Sequence, residues 1–229
     1  MIGYVETHGR AETTALAARL EAIPPSIRVD YQGLTLRDPD IDAILRRRPQ
    51  IVLIDELAHT DAPGSRHAKR HQDIEEILHA GGISVYTTVN IQHIESQNDI
   101  VAQITGIRVA ETVPDTFFYD ADEICLIDIP PEELQIRLRA GKVYVRDMAE
   151  QAVQRFFSVE NLLALRQIAL RFMAQVTDRQ MLTRMRARAI PGHGLPGNGS
   201  SWGYDPARRR TRWSVRRTAL RTGSVRTGS

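Results

Sequence analysis

Two acids, Asp55 and Glu56, stand side by side directly after the apolar run IVLI at residues 51–54, and a polar loop follows them. A short apolar run of this kind reads as a buried strand. Charged groups placed just beyond a strand project into the crevice where open α/β sheets bind ligands. An apolar strand ending in Asp and Glu has the form of a Walker B motif, in which the Asp holds Mg²⁺ and the following Glu orients an attacking water. Two adjacent carboxylates resist joint ionisation in a partly buried site unless a cation joins them. The dipeptide has a plainer reading as well, with Asp55 capping the next turn and Glu56 facing solvent.

Basic residues follow closely. Arg66, Lys69 and Arg70 in GSRHAKR form a loop able to meet phosphate, against the ordinary reading of solvated charges at a helix start. His67 and His71 stand four apart, the spacing of paired zinc ligands on one helical face, but no H-E-x-x-H pattern and no third ligand accompany them. Neither His59 nor His93 lies in the H-E-x-x-[TN]-P setting of a histidine-kinase phosphoacceptor, so autophosphorylation of this chain is not expected. The single cysteine, Cys125 in ADEICLIDIP, excludes an internal disulfide framework, suits a reducing compartment and reads as a strand residue rather than a reactive thiol.

The elements that must position these groups alternate. IGYV at 2–5, IVLI at 51–54, ISVYTTV at 83–89 and EICLIDI at 123–129 are near-continuous apolar segments, the pattern of parallel strands covered on both faces. Helical segments separate them: AETTALAARLEAI, DPDIDAILRRR, RHQDIEEILHAGG and PPEELQIRLRAGK. Gly81, Gly82 and Gly141 supply stop signals, and Pro130 and Pro131 supply a start. This order predicts an α/β domain over 1–147 with a mainly parallel sheet. After Asp147 the pattern becomes helical through 148–190, where Leu162, Leu165, Ile168, Ala169, Phe172, Met173 and Val176 recur at three-and-four spacing. That stripe is expected to dock on the α/β body, with a dimer interface or partner groove as the alternative.

At 229 residues, 42% hydrophobic and 25% charged, the composition is that of a folded globular protein. The average hides a division. Eight Arg against the single acid Asp205 give residues 191–229 a formal charge of +7, so that the whole-chain +2 leaves −5 on residues 1–190. Such a tail, basic and poor in aliphatic residues, is expected to build no packed core and to be disordered. Its Arg, Gly and Ser bias also fits a reading-frame shift in a G+C-rich gene. A rival reading makes it a nucleic-acid or anionic-lipid arm, with Trp202 and Trp213 as stacking surfaces. No apolar run reaches the roughly 20 residues of a membrane-crossing helix, and MIGYVETHGR lacks the form of a secretory signal; a cytoplasmic location is the expectation.

The runs GYVETHGRAETTAL, IVLIDELAHTDAPGSRHAKRHQDIEEIL, VYTTVNIQHIESQNDIVAQITG, ETVPD and PPEELQIRLRAGKVY closely resemble the N-terminal cytoplasmic domain of the potassium-responsive sensor histidine kinases, the KdpD family. The resemblance covers most of residues 3–190, including RMRARAIPG. It implies a nucleotide-binding module of P-loop NTPase type that senses intracellular conditions and adjusts the kinase and phosphatase activities of a distant catalytic core. ATP and Mg²⁺ are the implied ligands, and the rest of the sensor kinase and its response regulator are the implied partners. On this basis Asp55 takes the Mg²⁺ position and Glu56 the water-orienting one. Glu6 and His8, after the first strand, and Asn90, after ISVYTTV, face the same crevice, with Arg66 and Arg70 as phosphate contacts.

The sequence departs from that family pattern at one place. A phosphate loop needs GxxxxGK[ST], whose backbone amides cradle phosphates, and the sequence contains none. The family carries the loop, with a first strand and helix, just before the equivalent of GYVETHGR. The resemblance therefore implies an incomplete module with poor ATP affinity of its own, lacking the kinase core. Three functional readings follow: a regulatory, sensory domain of a two-component kinase, a free-standing Mg²⁺-dependent NTPase, and a non-enzymatic interaction module.

Overall fold

Burial of the apolar strands between helices sets the architecture, which a computed structural model describes for residues 1–29, 35–140, 156–188 and 213–217. The strands are β1 (Ile2–Tyr4), β2 (Ser26–Val29), β3 (Thr35–Asp38), β4 (Ile51–Ile54), β5 (Ser84–Thr87), β6 (Glu123–Leu126) and β7 (Trp213–Arg217). The helices are α1 (Ala11–Ala17), α2 (Ile41–Arg47), α3 (Arg70–His79), α4 (Glu95–Thr105), α5 (Asp115–Tyr119), α6 (Pro131–Arg139) and α7 (Val159–Arg188). A five-stranded sheet runs in the order β1-β4-β5-β7-β6, and every pair in it is parallel. All four strands expected from the apolar runs are present.

Register follows burial. Val52 pairs with Val85 and Ile54 with Thr87 across β4 and β5, and all four side chains are buried. Gly3, at the middle of β1, is there for closeness: a Cβ built on it would stand 2.9 Å from Ile44 Cδ1 and 2.9 Å from Val52 Cγ2. α2 begins at an Asp40 cap, whose carboxylate accepts from Ala43 N at 2.8 Å, and it buries Ile41 and Ile44. Ile74, Ile77 and Leu78 of α3 enter the same core.

The helical stripe docks intramolecularly. Leu165, Ile168, Ala169, Phe172 and Val176 of α7 join the main core, and Phe172 meets Phe118 edge-on at 5.4 Å. Further along, Arg179 lies 4.1 Å over the Tyr119 ring and Gln180 Nε2 donates to Ala121 O at 2.7 Å. Beyond that point Met181, Leu182 and Met185 are exposed. Among the described residues no helix is long and apolar enough to cross a membrane.

Five of these elements, β2, β3, α4, α5 and β7, were not expected. β2 and β3 pair antiparallel as a separate hairpin, from Ser26 with Asp38 to Val29 with Thr35. Polar α4 ends at Gly106, whose φ of 72° makes the left-handed cap. In the tail, where no packed core was expected, β7 lies between β5 and β6, Tyr86 aligning with Ser214 and Ile124 with Val215. Trp and Val favour extended backbone, and two parallel neighbours satisfy hydrogen bonds that an isolated tail strand would leave to water. The rest of 191–229, the boundary placed at 147 and the Gly141 stop lie outside the described residues.

Candidate functional site

At the end of β4 the two acids separate in fate. Asp55 N extends the ladder by donating to Tyr4 O at 2.9 Å. The Asp55 side chain turns back on the loop, accepting at Oδ1 from Glu56 N at 3.0 Å and from the Thr88 hydroxyl at the end of β5. Glu56 adopts a left-handed backbone with φ 57°, a conformation that costs a bulky non-glycine residue on the order of 1 kcal/mol or more. The contacts of Glu56 N with Asp55 Oδ1 and with Thr88 Oγ1 at 3.3 Å, together with Leu57 N donating to Thr88 O at 2.9 Å, hold it there.

The result is a cleft of about 140 Å³ at the carboxyl ends of β4 and β5, lined by Glu56, Leu57, Ala58, His59, Thr88, Val89, Asn90, His93 and Glu111. The location is where an open parallel sheet takes ligands. Its polar groups are largely pre-set. His93 Nδ1 lies 2.7 Å from Glu111 O, and since a carbonyl oxygen only accepts, Nδ1 is the donor in that contact. Glu111 accepts from Thr60 N at 2.8 Å. Burial, then the Arg70 charge, outweighs the neighbouring acids at His59 and lowers its pKa. For Glu111 the largest influence, burial, raises the pKa, but the Thr60 bonds and the neighbouring His59 and Lys69 outweigh it and the net shift is downward.

The other expected residues are placed as follows. His8 Nε2 lies 3.3 Å from Glu56 Oε1, so the first-strand loop reaches the cleft through His8. Glu6 serves that loop, accepting from His8 N at 3.0 Å and from Tyr4 Oη at 3.4 Å. Asn90 is on the wall. Arg66 is exposed and pairs with Asp42 and Glu76, at 2.6 Å each, outside the lining of the cleft.

Arg70 is the surprise. A fully buried guanidinium, 0% exposed, replaces the solvated loop charge the sequence suggested. Nη1 donates to Asp55 O at 3.2 Å and lies 3.6 Å from Glu56 Oε2. Nη2 donates to Asp38 Oδ1 at 3.4 Å, and the Tyr4 ring stacks 4.2 Å from Cζ. Arg70 thus braces the ends of β1, β3 and β4 beneath Glu56. His67 lies in the loop before α3, paired with Asp73 at 2.8 Å, while His71 is buried edge-on to Phe117 at 6.3 Å. The two histidines therefore share no helical face, because α3 begins only at Arg70.

Carboxylate and hydroxyl oxygens at Asp55 and Thr88 are the hard donor type that Mg²⁺ takes, and Mg²⁺ is ordinarily held by one or two carboxylates with water and phosphate completing its shell. Among the described residues no group of three or more His, Cys, Asp or Glu side chains is placed to hold a metal. The two expected phosphate contacts, Arg66 and Arg70, are both committed to carboxylates. Among the described residues, hard oxygen donors stand at the strand end, while both of the cations expected to meet phosphate are taken by carboxylates. Thr88, His59, His93 and Glu111 escaped the sequence reading as cleft residues, since nothing local marks them.

Residues 1–177 match the sequence profile of the osmosensitive K⁺ channel His kinase sensor domain. Over 235 aligned positions the chain is 48% identical to the Sensor protein KdpD of Escherichia coli strain K12, covering 98% of this chain and 25% of the relative. The corresponding proteins of Clostridium acetobutylicum and Mycobacterium tuberculosis are 53% identical over 171 residues and 51% over 170, covering 75% and 74% of this chain but 19% and 20% of theirs. The chain spans a quarter or less of the length of these relatives. With the profile matched from residue 1 to residue 177, the chain belongs to the family of osmosensitive K⁺ channel His kinase sensor domains.

Proposed function

We propose that this chain acts as the sensory, regulatory domain of a potassium-responsive two-component kinase, and that its cleft is of nucleotide-binding type. The observation that carries the reading is the family match over 1–177 combined with a strand-end cleft walled by Glu56 and Asn90. In this reading Asp55 and Thr88 hold Mg²⁺, which supplies charge neutralisation for a phosphate ligand, and Glu56 orients a water at the wall. A P-loop NTPase type of sheet and binding of ATP belong to the proposal. Output goes to a kinase core and its response regulator, which carry the phosphoryl chemistry.

Two measurements test it. Grafting residues 1–177 in place of the matching segment of the Escherichia coli relative is expected to keep a potassium-dependent output; loss of that dependence with autophosphorylation intact overturns the sensory part. Titrating MgATP into the chain while following amide shifts is expected to move residues 56–59 and 88–93 without turnover. No shift there removes the nucleotide part. Hydrolysis abolished by Asp55→Asn or Glu56→Gln replaces it with the NTPase reading.

A second reading, an interaction module, draws on the exposed Met181, Leu182 and Met185 of α7. It predicts self-association that is lost when all three are changed to Gln, read by solution mass.

A further inference from the structure

Beneath the cleft lies a charge cluster that the ligand reading does not use. Asp38, Asp61, Asp73 and Arg70 are all buried. His67 answers Asp73 at 2.8 Å. Asp38 receives three donors: Ala62 N at 2.9 Å, Ser65 Oγ at 3.2 Å and Arg70 Nη2 at 3.4 Å. Asp61 receives none, although its side chain is 0% exposed. A buried carboxylate with no donor is among the costliest groups a fold can hold, and protonation is the usual relief. The nearest cation, Arg70, is aimed elsewhere: its Nε also lacks a partner and stops 3.7 Å from Asp61 Oδ1.

Two orphaned, complementary atoms face each other just outside bonding distance. We propose that Asp61 is a proton-operated switch for the cleft: protonated, it leaves Arg70 seated on Asp38, Asp55 O and Glu56, and ionised, it draws Arg70 onto itself and frees Glu56. The proton leaves to solvent, and the guanidinium moves by less than the length of a hydrogen bond. No ligand need be present, so the switch stands or falls apart from the nucleotide reading.

The surroundings favour this assignment from every side. Around Asp61 and Arg70 stand Asp38 from β3, Asp73 and Arg70 itself from α3, Asp55 and Glu56 after β4, His59 and Lys69 in the loops, and Tyr4 from β1, with His8 on Glu56 and His67 on Asp73. Acids predominate, and burial, then the Arg70 charge, lowers the His59 pKa. Burial, then Asp73, pushes the Asp61 carboxyl up to about 7, with Arg70 opposing and Asp38 adding to the rise by its charge and by a carboxyl–carboxyl contact that only a protonated Asp61 can make as donor. A carboxyl raised to that level changes charge within the ordinary cellular range.

Carboxyl carbon shifts of the full chain, labelled at Asp and Glu and titrated from about pH 4 to about pH 9, test the proposal. The Asp61 resonance, assigned by its absence in Asp61→Asn, is expected to titrate with a midpoint at least about two units above an ordinary aspartate. The Glu56 resonance, assigned with Glu56→Gln, is expected to follow with the same midpoint in the unaltered chain and to lose that step in Asp61→Asn. An Asp61 midpoint in the ordinary range overturns the proposal from the unaltered chain alone. With His8 changed to Gln throughout so that no histidine faces Glu56, a Glu56 step at the Asp61 midpoint that persists in Asp61→Asn overturns the coupling, and should that variant not fold, Asp61→Ser supplies the same readout.

Discussion

The floor of the cleft and the seat of α7 are both buried, but they are built from opposite materials. α7 lies on the body through Leu165, Ile168, Ala169, Phe172 and Val176, where any apolar group of the right volume stabilises. The cleft floor is held by one guanidinium and several carboxylates, where stability depends on which proton and which partner is in place. The first kind of burial is indifferent to pH and direction. The second is sensitive to both, because a buried charge is tolerated only while a specific opposite group faces it.

Substitutions separate the two regions. The largest loss is expected for Phe172→Ala, about 4 kcal/mol by denaturant unfolding, with no pH dependence, since only packing against Phe118 is removed. Arg70→Ala should cost about 3 kcal/mol at neutral pH by leaving Asp38 and Asp61 without their cation. That loss should shrink as pH falls, because protonating the stranded carboxylates relieves it. Equal pH profiles for the two variants would erase the contrast.

Asp61→Asn sharpens it with the opposite sign. Burial first of all raises the Asp61 carboxyl from 3.8 to about 7, so the folded state holds its proton more tightly than the unfolded chain. The unaltered protein therefore loses stability as pH rises from about 4 towards 7, and the loss is complete above 7. The amide cannot ionise. The variant should gain by up to about 4 kcal/mol relative to the unaltered chain between acidic and mildly alkaline pH, and a pH-independent difference would argue that Asp61 folds ionised.

Two smaller effects complete the series. Gly3→Ala should destabilise by about 1 kcal/mol, as a Cβ presses on Ile44 and Val52 and those side chains give way. Arg66→Ala should leave the unfolding midpoint unchanged, since its pairs with Asp42 and Glu76 are exposed.

Much of the scaffold could be read in advance because burial writes a periodic pattern. IGYV, IVLI, ISVYTTV and EICLIDI announced β1, β4, β5 and β6, and the stripe from Leu162 to Val176 announced the seat of α7. SIRV and TLRD carry no such pattern, and their hairpin is made by backbone pairing that has no side-chain signature. Of the cleft wall, Glu56 and Asn90 could be anticipated for the same reason. Each follows an apolar strand, and a strand's end in a parallel sheet is a place of known use.

Arg70 shows where this kind of reading stops. In the sequence it is one of three cations in GSRHAKR, with the same local signal as Arg66. In the fold Arg66 is at the surface and Arg70 is sealed beneath Glu56. The partner that distinguishes it, Asp38, is 32 residues away, and Asp38 lies at the end of a strand that the sequence did not reveal.

The sequence by itself determined that strands would alternate with helices in a parallel sheet, that a helix would cover it, and that two acids would stand at a strand's end. Hydrophobic burial is non-directional and summed over many residues, so a linear pattern suffices to specify it. Only the tertiary structure decided that Asp55 would clasp the loop while Glu56 faces the cleft, that Arg70 would be an internal brace, and that Asp61 would lie beside it without a donor. Those outcomes depend on distances of a few ångströms between groups remote in the chain, and charge interactions in a dry interior change steeply over such distances.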